Sequence, residues 1–527
     1  MEWMVGLMAL VPVAGLGAVA SQPCGRGNGR SVASRLNWFE GLALLQVAIA
    51  VLLFVLVLAS GAQQYPLLDP LGLGFAVRID HLSTTVLLVV SFVGWIVLRY
   101  SRNYLSGEPR QVEFVARVTQ TLVAVLVLVV AGNLLQFALA WIATSLCLHR
   151  LLVFYPNRPR AQAAARKKFV FARIGDGLLI AAFWLLYQTF MTGDFEAISV
   201  AVQAGKWSQG ATVAVLLLSC AAILKSAQFP FHGWLTEVME TPTPVSALLH
   251  AGIVNAGGFL VLRFGELFAV TPDAAFAVAA VGGLTAVIGS SVMLTAPDVK
   301  GSLAWSTIGQ MGFMMVQCGI GAYGAALLHI VGHSLYKAHA FLSSGDVLRD
   351  VPNRTIGSET SYDRPALALL VVAGALGALA IAGGVGGSAS ATVFLAALFA
   401  AGLSQFRLSS HPHGLEERSR LLLLLLAIVF AYCFFQLVGH SLLAPLAAEP
   451  PVSLSGSVGG VALLILAAFI ALCVLQLCSL GGSRSRWMIA AYVHVQNGLY
   501  ANAVADRVLG GYRREVRKQP AVHQSGR

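Results

Sequence analysis

Two lysines and three histidines interrupt stretches of this chain that are otherwise almost free of charge. Lys225 closes the apolar run Ala214-Val-Leu-Leu-Leu-Ser-Cys-Ala-Ala-Ile-Leu224, and His250 ends Pro244-Val-Ser-Ala-Leu-Leu249. His329, His333 and Lys337 recur at every fourth residue of a third run. An ionisable group at membrane depth costs at least about 2.5–3.5 kcal/mol, so a function is the default explanation for it. On a helix, positions 329, 333 and 337 share one face over about 12 Å of axis. Burial disfavours the charged form of an amine, and imidazole changes charge near neutral pH at small cost. A file of such groups is suited to handing on a proton or another cation.

Each residue also has a plainer reading. Lys225 at a helix end fits a lysine that snorkels toward the membrane surface, and His250 alone fits a hydrogen-bonded core histidine. His-x3-His supplies two zinc ligands on one face, but no carboxylate or third ligand is near in sequence, and no metal is expected. His339 falls off the 329/333/337 stripe, and His411-Pro-His413 lies in a polar loop. The helix breakers between Lys225 and His250 favour the functional reading. A break at Pro230, followed by Pro242 and Pro244, frees carbonyls that lipid cannot satisfy unless a polar cavity takes them up. A second interruption is expected at Ile381-Ala-Gly-Gly-Val-Gly-Gly-Ser388. Paired breaks in two halves of a chain are the pattern of an inverted repeat around a transport path.

A bundle of membrane helices must position these groups. The 527 residues are 57% hydrophobic and 11% charged, against about 25% charged in soluble domains. About fifteen apolar spans can be read, the first centred near residue 11 and the last near 468. The expected fold is an all-α polytopic membrane protein with about 13–15 transmembrane helices. Charge supports that count. If the C-terminus is cytoplasmic, so are the alternate loops 21–39, 99–117, 148–173, 296–301, 345–365 and 406–420. With the tail they hold 29 of the 34 Lys and Arg residues, as the positive-inside rule requires.

The net charge of +11 is thus an orientation signal, and no nucleic acid partner is needed to explain it. The run from Arg158 and Arg160 to Arg166-Lys-Lys168 reads as a topology determinant, with contact to anionic lipid or an acidic partner as the other option. The first twenty residues carry Glu2 and no Lys or Arg, unlike the basic start of a signal peptide, and read as a span. Residues 1–482 are expected to form one transmembrane domain. Residues 483–527 are expected to form a cytoplasmic amphipathic helix and a basic tail. The seven cysteines include no CxxC, and there is neither a strand-linked GxGxxG nor a GxxxxGK[ST] motif. No cofactor is expected.

Several longer motifs carry a resemblance. Lys225-Ser-Ala-Gln228, Pro242-Thr-Pro-Val-Ser-Ala-Leu-Leu-His250, Ala304-Trp-Ser-Thr-Ile-Gly-Gln-Met-Gly-Phe313 and His329-x3-His333-x3-Lys337-Ala resemble successive motifs of the antiporter-like subunits of respiratory complex I and Mrp antiporters. Phe75-Ala-Val-Arg-Ile-Asp80 and Arg173-Ile-Gly-Asp176 fit the amino-terminal part of that family. The resemblance implies a proton path near mid-membrane, in two inverted five-helix repeats with broken helices. It implies Lys225, His250, His329, His333 and Lys337 as path residues, with Asp176, Glu237 and Glu240 as accessory groups. The sequence departs from the complex I pattern at Ile142, where those subunits carry a glutamate after the tryptophan, and at Gly383 to Gly387, which lacks their lysine.

The finer wording is similar to the DabB family, membrane subunits of bacterial inorganic-carbon accumulation complexes. It lies in Phe229-Pro-Phe-His-Gly-Trp-Leu-Thr-Glu-Val-Met-Glu-Thr241, His250-Ala-Gly-Ile-Val-Asn-Ala-Gly-Gly258 and Tyr492-Val-His-Val-Gln-Asn-Gly-Leu-Tyr500. That resemblance implies a bacterial inner membrane, flow of protons or Na+, and a DabA-type zinc partner resembling carbonic anhydrase. The partner would hydrate CO2, and this chain would be a transport subunit and no enzyme. Two other classes compete: an antiporter-like subunit of a respiratory or hydrogenase complex or a cation/proton antiporter, and an inert membrane anchor. The anchor leaves the buried lysines unexplained.

Overall fold

The computed structural model describes residues 2–21, 29–68, 74–238, 241–345, 393–399, 456–480 and 486–508, with isolated positions at 427, 430 and 434. Apolar runs become helices because lipid offers the backbone no partner outside its own ladder. The first six are α1 (Glu2–Ser21), α2 (Gly29–Ser60), α3 (His81–Tyr104), α4 (Gln111–Val129), α5 (Leu134–Leu152) and α6 (Pro159–Phe190). Next come α7 (Phe195–Gln203), α8 (Gln209–Lys225), α9 (Gly233–Glu237), α10 (Thr243–Ala251), α11 (Ala256–Arg263) and α12 (Gly265–Ala269). The remainder are α13 (Pro272–Thr295), α14 (Val299–Gly319), α15 (Tyr323–Leu342), α16 (Gly456–Leu480), α17 (Arg486–Gln496) and α18 (Ala501–Val508). Among the described residues, eight helices are long and apolar enough to cross a membrane. An antiparallel hairpin, β1 (Gln63–Leu68) with β2 (Phe75–Ile79), is a small addition that the helical reading did not contain.

That hairpin leads into a charged brace. Asp80 caps α3 by accepting from the Ser83 amide at 2.7 Å, and it pairs with Arg78 at 2.8 Å and with Arg263, at the end of α11, at 2.5 Å. Burial alone would push the Asp80 carboxyl up. The Arg263 and Arg78 guanidiniums outweigh it and hold the group far below the ordinary carboxylate range.

The interruption expected after Lys225 is present: α8 stops there and the helix resumes at Gly233. Ala227 takes a left-handed φ of 50°, which costs a residue with a Cβ about 1–2 kcal/mol. The freed backbone groups find partners. Gln228 N–H donates to the Ile223 carbonyl at 3.2 Å, and Phe229 N–H to Thr285 Oγ1 on α13 at 3.0 Å. A further break, not read from the sequence, separates α10 from α11 at Gly252, followed by a 3₁₀ turn over Ile253–Asn255. The interruption expected at 381–388 lies outside the described residues.

Helices α13 and α14 meet backbone to backbone. A Cβ at Gly312 would lie 2.5 Å from the Ala286 amide nitrogen, and one at Gly289 would lie 2.6 Å from that of Gly309. Membrane helices associate through such close packing, since lipid supplies little hydrophobic drive between them. The pair carries Thr285 to the first break and Thr307 to the second.

Candidate proton path

At the first break, Lys225 Nζ lies 4.1 Å from the centroid of the Trp141 ring. It lines a cavity of about 20 Å³ with Ser145, Lys168, Gly175, Trp234 and Ile253, enough for water. Ile142 supplies no carboxylate here, and the nearby one stands on the next helix. Asp176 on α6 is within electrostatic reach of Lys225 and forms an ion pair with Arg173 at 2.6 Å. An accessory residue of the sequence reading thus supplies the negative charge beside the lysine.

The last two lysines of the basic run, read as a topology determinant, are buried. Lys168 is only 6% exposed and Lys167 only 5%. Lys168 Nζ donates to the Ser145 carbonyl at 2.8 Å and to its hydroxyl at 3.0 Å. Lys167 turns elsewhere, donating to Glu237 Oε1 at 2.6 Å and Asn502 Oδ1 at 2.7 Å, and it also pairs with Asp506. Asn502 Nδ2 completes the knot on Glu237 Oε1 at 2.6 Å. Glu237 therefore ties α9 to α18. Glu240 lies outside the described residues.

At the second break, the carbonyls that end α10 have no ladder partner. His333 Nε2 donates to the His250 carbonyl at 3.2 Å, Asn255 Nδ2 to that of Ala251 at 3.0 Å, and Ser226 Oγ, next to Lys225, to that of Val254 at 2.8 Å. The Thr307 hydroxyl donates to the Leu303 carbonyl at 3.0 Å, so its oxygen accepts from His250 Nδ1 at 3.1 Å. Lys337 Nζ donates to the same Leu303 carbonyl at 3.0 Å. His329 Nδ1 donates to Gln317 Oε1 at 3.0 Å, and its ring centroid is 5.9 Å from that of His333.

Those acceptors assign the tautomers: the proton sits on Nδ1 of His250 and His329 and on Nε2 of His333. His250 Nε2 is left a buried lone pair without a partner. The structure thus brings four of the five expected path residues, His250, His329, His333 and Lys337, into one neighbourhood, while Lys225 stands apart at the first break, its neighbour Ser226 bonded to the Val254 carbonyl. His329 and His333 line a pocket of about 440 Å³ with Gln310, Phe313, Gln317 and Tyr336. Lys337 is wholly buried and lines neither cavity. His339 is exposed, off the stripe. Neither Thr307 nor Lys168 was among the expected path residues; a threonine inside the Trp305-Ser-Thr motif was the available signal for the first.

Residues 131–410 match the NADH:quinone oxidoreductase/Mrp antiporter transmembrane family, and residues 68–115 match the amino-terminal part of complex I chain 5. The chain belongs to this family of antiporter-like membrane subunits, on its DabB branch. It is 41% identical over 421 residues to a probable inorganic carbon transporter subunit DabB2 of Halothiobacillus neapolitanus, which covers 77% of this chain and 75% of that protein. NADH-quinone oxidoreductase subunit L of Escherichia coli is 36% identical over 334 residues, 60% of this chain and 54% of that one. The solved Mrp complex of a Dietzia species superposes with a TM-score of 0.63 at 21% identity, over 98% of this chain and 61% of the matched one. That likeness concerns the fold.

Proposed function

We propose that this chain is the proton-conducting membrane subunit of an energy-coupled complex that accumulates inorganic carbon, working with a DabA-type zinc subunit resembling carbonic anhydrase. The relationship to a probable inorganic carbon transporter subunit supports the cargo. The observation that supports conduction is the clustering of Lys337, Thr307, His250 and His333 around the Leu303 and His250 carbonyls. Amines and imidazoles take a proton as a covalent bond, whereas hard metal cations seek oxygen ligands. Protons therefore suit this lining better than Na+.

Lys225 and Lys337 exchange protons, and His250, His329 and His333 relay between them. Hydration of CO2 belongs to the partner. Residues 1–482 form the conducting domain in a bacterial inner membrane, and 483–527 lie on its cytoplasmic face; the sorting of Lys and Arg among the loops supports this orientation.

Co-expression with a candidate DabA-type partner in cells lacking carbonic anhydrase tests the reading. Growth in ordinary air is expected, lost on adding an uncoupler and absent with Lys225→Met although the complex assembles. Rescue that survives Lys225→Met sinks it. The similarity to subunit L supports a second reading, a respiratory or hydrogenase-linked pump subunit. Purification with quinone- or iron–sulfur-containing partners would favour that one.

A further inference from the structure

The cavity beside Lys225 has a second amine in its wall. Lys168 stands ten residues into α6, about 14 Å along its axis, and shares the 20 Å³ space with Lys225, Trp141, Ser145 and Gly175. The nearby carboxylates are engaged by other cations: Glu237 and Asp506 by Lys167, and Asp176 by Arg173. Two of the three donors of a Lys168 ammonium go to the carbonyl and hydroxyl of Ser145. The ionisable groups within electrostatic reach of Lys168 are Lys225, Arg173, Asp176 and Cys147, with His149 on the far side. His149 is half-buried in the last turn of α5, its Nδ1 has no partner, and the exposed Arg150 follows it.

We propose that Lys168 is a proton-exchange group between Lys225 and the side of the protein that carries the basic loops, with His149 beyond it. This rests on the proton-conducting reading of the chain. In each transfer one N–H bond breaks on one amine and one forms on the other, through water in the shared cavity, and nothing is oxidised. Ser145 suits both states, since its hydroxyl accepts from an ammonium and donates to a neutral amine. Two ammonium groups on one small cavity repel, so a proton arriving on either eases the discharge of its neighbour.

The test is proton influx into vesicles holding the whole complex, read with a trapped pH dye under an imposed gradient. Lys168→Arg keeps the cation and the donors to Ser145 but does not release its proton. The expected result is an assembled complex with influx slowed at least about tenfold. Lys168→Cys, in a chain whose seven native cysteines are replaced, separates titration from charge. Modification with an aminoethyl methanethiosulfonate restores influx, whereas the trimethylammonioethyl reagent, a fixed positive charge, does not. Normal influx in Lys168→Arg, or equal rescue by both reagents, overturns the inference and leaves the proposed function standing. An unmutated complex that conducts no protons overturns both.

Discussion

Around Lys225 the neighbours are an aromatic face, a second lysine, a carboxylate held by Arg173 and a space the size of water. Around Lys337 they are a backbone carbonyl, a threonine and histidines whose donors are already assigned. The first environment leaves room for a water molecule beside the amine, which can reorient as charge comes and goes. The second is fixed by direction. Each of its imidazoles spends one nitrogen on an acceptor, and the other must take any incoming proton, after which the ring has to reset. If the chain conducts protons as proposed, loading falls to the Lys225 region and ordered transfer to the Lys337 region.

Substitutions at the two amines should have the largest effects. Lys225→Met and Lys337→Met are each expected to abolish uncoupler-sensitive carbon uptake in the co-expression assay; retained uptake in Lys337→Met alone would confine conduction to the Lys225 side. Thr307→Val removes the link between His250 and the Leu303 carbonyl. A proton influx reduced about tenfold is expected, and an unchanged rate would show that the ordered segment is not in use. Ile142→Glu places a second carboxylate near Lys225. About 1.4 kcal/mol of added hold on the charged amine is a tenfold change, so slower influx is expected, with no matching change if the same residue is set at an exposed turn between spans, such as Ser106. Asn502→Ala loosens only the knot at Lys167; a loss of about 1 kcal/mol or less is expected, read as a small fall in the thermal midpoint of the purified complex.

The helical fold was legible because lipid imposes one length and one composition on every span. Lys225 and the 329/333/337 stripe were legible because charge in an apolar run stands out without knowledge of neighbours. Lys168 was hidden by the same logic: counted along the chain it belongs to a basic loop, and only the start of α6 at Pro159 shows that it has already entered the bundle. The electrostatic reach of Asp176 to Lys225 depends on two helices lying side by side, which spacing along one helix cannot reveal. The Gly252 break was missed because a glycine two residues after a histidine carries no proline-like signal, and its purpose appears only when His333 is seen to take the His250 carbonyl it leaves free.

The knot of Lys167, Glu237, Asn502 and Asp506 couples the far end of the sequence to the loose half-helix below Lys225. A methyl group at Gly233 would overlap Asn502, so the two surfaces are in direct contact with no slack between them. A displacement of α18 would therefore bear directly on α9, the short helix that follows the Lys225 break.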